Sequence, residues 1–188
     1  MATYKELEKY YDHLKESYES KESDSYYFNN DRSHNAMVMK FMFDYSSIIN
    51  MYCGELSVLR ESFYGYINED KDEIKKNVIC SLKKFLDKED AKLCIIVENF
   101  SKKIFEDLIC KEVFINKLKE GKIHLFKLDR DFSFKKEINH FCYSDTNIVR
   151  FEVDKNQHNA ICVFHNKEYL NSMENNFGTL YNIAQKVN

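Results

Sequence analysis

The sequence predicts an α/β fold, a mixed β-sheet flanked by helices, and three observations carry that expectation. Through the middle of the chain, segments with helical spacing alternate with short apolar runs. One of those runs, Lys92 to Val97, is apolar without alternation, as in a strand covered on both faces. In the last third, Phe141 to Tyr143, Ile148 to Val153 and Ala160 to Phe164 are short strand-like runs. They are separated by Ser144-Asp145-Thr146-Asn147 and Asp154-Lys155-Asn156-Gln157, which is turn chemistry and indicates an antiparallel meander.

The elements follow in order. Thr3 and Glu6 form a capping box before Tyr4, Leu7, Tyr11, Leu14 and Tyr18, which share one helical face to about residue 20. A stripe made mostly of Tyr suits a half-exposed docking face. The polar stretch Lys21 to Asp31 has no period and reads as a loop, after which Ser33 is positioned to cap a second helix ending near Tyr45. Ile48 to Cys53 is a strand stopped by Gly54. Asp70 opens a helix with Ile74, Val78, Leu82 and Phe85 on one face. Ser101 caps a helical stretch running through Phe105, Leu108, Phe114 and Leu118, with Gly121 just past its end. Ile123 to Leu128 is another strand, and Asn166 caps a last helix carrying Leu170, Met173, Phe177, Leu180, Ala184 and Val187. These boundaries divide the chain into an N-terminal helical extension, residues 1–45, and an α/β domain, residues 46–188.

Composition narrows the function classes. With 44% hydrophobic residues among 188, the chain has enough apolar surface to form a core, which excludes general disorder. The absence of Pro and the presence of only four Gly exclude Gly-rich phosphate loops and Pro-rich linkers. A net charge of −3 does not advertise a polyanion partner, and the basic pairs Lys102-Lys103 and Lys135-Lys136 are too little for a nucleic-acid interface. No stretch approaches the roughly 20 apolar residues that span a bilayer, and the charged N-terminal segment lacks a secretory apolar core. Six Cys lie far apart with no CxxC pair, most of them inside apolar runs, so buried reduced thiols in a cytoplasmic protein are expected.

The order of elements, with His140 opening the first meander strand, resembles one half of a phospholipase D-type domain over about residues 46 to 185. The strands Ser47 to Gly54 and Lys92 to Val97, the segment Phe114 to Leu125, the run His140 to Asp145 and the stretch Asn159 to Phe177 carry the resemblance. The family implies phosphodiester hydrolysis or transfer, with a His nucleophile, a Lys holding the phosphate, and a second His from a paired half as general acid. Its motif is His-x-Lys followed by four residues and Asp. His140 matches, Cys142 stands where the Lys belongs, and Asp145 comes two residues early. Losing such a cation typically costs a factor of hundreds or more, so the resemblance implies a degenerate relative.

Three other residues stand out. Arg150 and Glu152 alternate on one strand face, where they either line a ligand pocket or form a solvated charge pair. Glu55 follows Gly54 at the carboxyl end of a strand, where open α/β sheets place ligands. His140 with Cys142, and His158 with His165, lack zinc-finger spacing, so neither a metal site nor a cofactor is expected. The leading reading is a non-catalytic interaction protein whose partner is its own copy or another protein, by analogy serving a microbial or phage conflict system. The alternatives are a homodimeric phosphodiesterase or nuclease using His140, and a small-ligand or nucleotide sensor built on Glu55, Arg150 and Glu152.

Overall fold

Thr3 caps the first helix as its capping box indicates: its backbone N–H donates to Glu6 Oε2 at 2.7 Å while its hydroxyl accepts from the Glu6 N–H at 3.4 Å. The computed structural model describes residues 3–21, 25–29, 31–67, 70–128, 138–154 and 159–187. Their order is α1 (Tyr4–Ser20), β1 (Ser25–Asn29), α2 (Arg32–Tyr45), β2 (Ile48–Cys53), a 3-10 turn at Ser57–Leu59, α3 (Glu61–Tyr64), α4 (Lys71–Asp87) and β3 (Lys92–Val97). Then come α5 (Lys102–Glu106), α6 (Lys111–Lys119), β4 (Ile123–Lys127), β5 (Phe141–Ser144), β6 (Ile148–Asp154), β7 (Asn159–Phe164), α7 (Lys167–Ile183) and β8 (Gln185–Lys186). The predicted turn residues Lys155 to Gln157, the pair Lys135-Lys136 and His158 lie outside the described residues.

The strands form one mixed sheet in the order β1-β7-β6-β5-β2-β3-β4-β8, in which β2, β3 and β4 run parallel and every other neighbour is antiparallel. This is the α/β fold the sequence predicts. Alternation along each strand sorts side chains to two cores. Ile49, Met51, Leu93, Ile95, Cys142 and Cys162 face α1, α2 and α4. Tyr52, Ile96, Phe141, Tyr143 and Val149 face α7 through Phe177 and Leu180.

Four local expectations are corrected. Lys21 to Asp31 contains a strand, because Ser25 to Asn29 pair with Phe164 to Ala160 and cap the meander's edge. Asp31, not Ser33, caps α2, accepting from the His34 N–H at 2.9 Å. The predicted helix after Ser101 is broken between α5 and α6. There Asp107 O accepts from the Glu61 N–H at 2.7 Å, and the Ile109 N–H donates to Leu59 O at 2.9 Å. Those tertiary bonds replace helical ones. The last helix stops at Ile183, and the chain turns out to pair β8 with β4, which removes Ala184 and Val187 from the helix face.

The Tyr stripe of α1 is half-buried, as expected, and packs against the core. Tyr18 packs edge-on against Phe41, Tyr45 and Phe164 and stacks on His165, whose Nε2 lies 2.8 Å from Tyr18 O. Tyr11 meets Phe41 and donates its hydroxyl to Asp44 at 2.5 Å. Leu7, Leu14 and seven residues of α2, Ala36 to Met39 and Phe41 to Phe43, are buried in the same core as β2 and β3.

Candidate functional site

The carboxyl ends of β2 and β3 meet the start of β5, and a group of polar side chains with Asn35, Arg150 and Glu152 buried among them gathers there. β5 runs antiparallel to β2, so His140, just ahead of Phe141, stands beside Gly54, just beyond Cys53. The approach is close: a Cβ on Gly54 would lie 3.1 Å from His140 Cε1 and 3.3 Å from Nε2, which explains a glycine at this position. On β6, Arg150 is directly opposite Cys142, and Glu152 follows on the same face.

Both ring nitrogens of His140 face carboxylates. Nδ1 lies 2.8 Å from Glu152 Oε2. Nε2 lies 3.2 Å from Glu98 Oε1, within ion-pair distance but off the N–H axis of a hydrogen bond. Tyr52 holds Glu98 in place, donating its hydroxyl to Oε1 at 2.6 Å. Burial alone would push the His140 imidazole down, but Glu152 and Glu98 outweigh it and hold its pKa above the ordinary value.

Arg150 is 9% exposed and Glu152 7%, so the solvated charge pair that their spacing also permits is not what forms. Arg150 donates Nε at 3.1 Å and Nη2 at 2.7 Å to Asn35 Oδ1, and Nη2 also reaches Glu152 Oε1 at 3.4 Å. A cavity of about 90 Å³ opens above this group, walled by Arg32, Met39, Leu56 and Phe63 and floored by His140, Cys142 and Arg150. Arg32 sits at its rim, with its guanidinium 4.2 Å from the Tyr66 ring centroid.

The other singled-out residues lie apart. Asp145 is at the opposite end of β5 from His140, where Oδ1 accepts the backbone N–H groups of Ser47 and Ile48, each at 3.1 Å. Glu55 pairs with Arg60 at 2.6 Å and borders a separate cavity of about 460 Å³ with Asn99, Ser101 and Lys127. His165 is engaged with Tyr18. Among the described residues, no group of three or more His, Cys, Asp or Glu side chains is placed to hold a metal ion, and no helix is long and apolar enough to cross a membrane.

Glu98, Asn35 and Tyr52 were not evident as site residues from the sequence. Glu98 carried a usable signal, because it follows the strand Lys92–Val97 at its carboxyl end just as Glu55 follows β2. Asn35 is one polar residue at the head of an apolar helix, with nothing local to connect it to Arg150, 115 residues away.

The chemistry this permits is limited. A carboxylate on Nδ1 is how a nucleophilic or basic His is oriented. Here a second carboxylate also occupies the Nε2 side, and the thiol of Cys142 lies where the motif has a cation. Arg150, the cation on the floor among the described residues, is tied to Asn35 and Glu152. A phosphodiester anion approaching Nε2 meets negative charge rather than a phosphate clamp.

No protein-family model matches the sequence, and no curated protein matches it. Solved structures do resemble the fold. TrmBL2, described as an archaeal chromatin protein with a novel mode of DNA binding, aligns at TM-score 0.56 and 14% identity, covering 96% of this chain and 68% of its own. Nuc from Salmonella typhimurium, a phospholipase D family member, aligns at TM-score 0.52 and 11% identity, covering 87% of this chain and 97% of its own. At such identities the likeness speaks for the fold alone, and the fold is a phospholipase D-like α/β sheet.

Proposed function

We propose that this chain is a non-catalytic interaction protein on a phospholipase D-like scaffold, and that its partner is a second copy of itself. The observation that carries the first half is the Glu98 carboxylate standing at His140 Nε2 while Cys142 fills the cation position. The former reaction centre then serves as a structural charge cluster.

Support for the second half comes from the sheet edge. Among the described residues β1 stands at the end of the sheet with β7 as its strand neighbour, and it exposes Tyr26 at 44% and Phe28 at 63%. Val153, 47% exposed on β6, adds to the apolar surface near this edge. An antiparallel edge can pair with its own copy about a two-fold axis. Such pairing would place the two β5 strands seven strand spacings apart, so the two His140 side chains would stand roughly 30 Å from each other. A dimer of this kind cannot supply the paired histidines that the family's chemistry needs, which sets this reading against the homodimeric phosphodiesterase.

One sample tests both halves. Light scattering is expected to give twice the 22.6 kDa chain mass for the wild type and the single-chain mass for Phe28→Asp. Bis(4-nitrophenyl) phosphate and DNA incubated with the wild type and with His140→Ala should be hydrolysed no faster than in buffer. A single-chain mass for the wild type would remove the second copy as partner. Hydrolysis lost in His140→Ala would establish the phosphodiesterase instead.

A further inference from the structure

Sulfur is concentrated beneath α2 in a way that neither the fold nor the charge cluster requires. Met39 and Met42 lie three residues apart on one face of α2 and both point at β5. The Cys142 thiol meets them there, with Sγ 3.3 Å from Met42 Sδ and 3.8 Å from Met39 Sδ. All three side chains are at most 3% exposed.

We propose that Cys142, Met39 and Met42 form a binding site for a soft monovalent metal ion, Cu(I) or its surrogate Ag(I). One thiolate and two thioethers are donors that select Cu(I) over zinc, magnesium or calcium. With metal–sulfur bonds of roughly 2.3 Å, three sulfurs in a trigonal plane stand roughly 4 Å apart. The two distances from Cys142, 3.3 and 3.8 Å, are close to that spacing, and the two Met side chains are flexible enough to adjust around an ion.

The surroundings meet the other requirements of a metal site. Arg150 lies directly across the ladder from Cys142, so the sulfur sits beside a hydrogen-bonded polar group rather than in a purely apolar shell. Cys142 and Met39 both border the cavity beneath Arg32, so an ion has a route from solvent. Binding exchanges a proton for the metal: the S–H bond of Cys142 breaks, a sulfur–metal bond forms, and the proton passes to buffer. The ion stays monovalent, and no oxidant or reductant is consumed. The inference is independent of the proposed self-association.

The test is a titration of the full chain with Cu(I) held by a chromophoric chelator under anaerobic conditions, repeated with Ag(I). The wild type is expected to withdraw one equivalent tightly, with zinc failing to compete. Met39→Leu/Met42→Leu conserves volume and keeps all six thiols, and should weaken that equivalent by about 10–100-fold, the scale seen when a site loses supporting partners. Cys142→Ser should lose it, and Cys80→Ser, at an exposed thiol, should keep it. Unchanged affinity in the double Met variant overturns the site, as does loss in Cys80→Ser or the absence of a tight equivalent in the wild type. Far-UV circular dichroism of the double Met variant confirms that its comparison is made on folded protein.

Discussion

Arg150→Met is expected to lower the unfolding free energy by about 3–5 kcal/mol, the cost of leaving one member of a buried ion pair behind. The guanidinium now donates two bonds to Asn35 Oδ1 and one to Glu152. Without it, the Asn35 carbonyl oxygen loses both, and Glu152 keeps its negative charge in a place where water reaches only 9% of the side chain. His140 still faces Glu152, which limits the damage without removing it. Arg150→Lys should recover only part of the loss, because a single ammonium cannot reproduce the planar fork that meets Asn35. Urea unfolding of the three proteins measures this, and a cost below about 1 kcal/mol for Arg150→Met would mean that the cluster behaves as solvated surface.

Phe41→Ala should cost a similar amount, about 3–5 kcal/mol, for a different reason. Phe41 is fully buried where α1, α2 and β7 meet. Its ring contacts Tyr11, Tyr18, Tyr45 and Phe164, with centroids between 4.4 and 5.7 Å away. Alanine leaves a cavity whose walls are themselves anchored. Tyr11 is tied to Asp44, and Tyr18 is held by His165, so the site cannot collapse to fill the space. A whole-domain stability of about 5–15 kcal/mol makes either variant marginal. A shift of less than about 1 kcal/mol for Phe41→Ala would show that α1 packs only loosely on the sheet.

The same junction explains what could and could not be read from the sequence. The central strand β3 announces itself because both its faces are covered and it is apolar from Leu93 to Val97, while β2 and β4, which carry Asn50 and His124, read as shorter mostly apolar runs between helical segments. The meander is legible through its turn chemistry. β1 is not, since Ser25-Tyr26-Tyr27-Phe28-Asn29 shows no polar alternation and sits among polar residues; only pairing with β7 makes it a strand. The Tyr side chains of α1 read as half-exposed because a phenol has a polar tip. The Tyr10 and Tyr11 hydroxyls find Asn29 and Asp44, and Ser17 of the same helix meets the Tyr27 hydroxyl of β1, contacts which no local pattern encodes.

For the site, the i and i+2 spacing of Arg150 and Glu152 correctly places them on one face, and β5 and β6 pairing brings them to His140. Asp145 had to fall elsewhere. It is five residues beyond His140, with the whole of β5 between them, so its carboxylate reaches the start of β2 instead. Glu98 shows the general limit: the rule that selects carboxylates at strand ends does not say which of two will face a given histidine. That choice is made by Tyr52, one strand away.

The central claim is that His140 does no covalent chemistry, and a direct measurement is the intact mass of the chain after incubation with a phosphodiester and an alkaline quench that preserves phosphohistidine. The geometry predicts an unmodified chain in the wild type and in His140→Ala alike, because Glu98 stands at the atom that would attack. A phosphoryl adduct that maps to His140 and disappears in His140→Ala would contradict it.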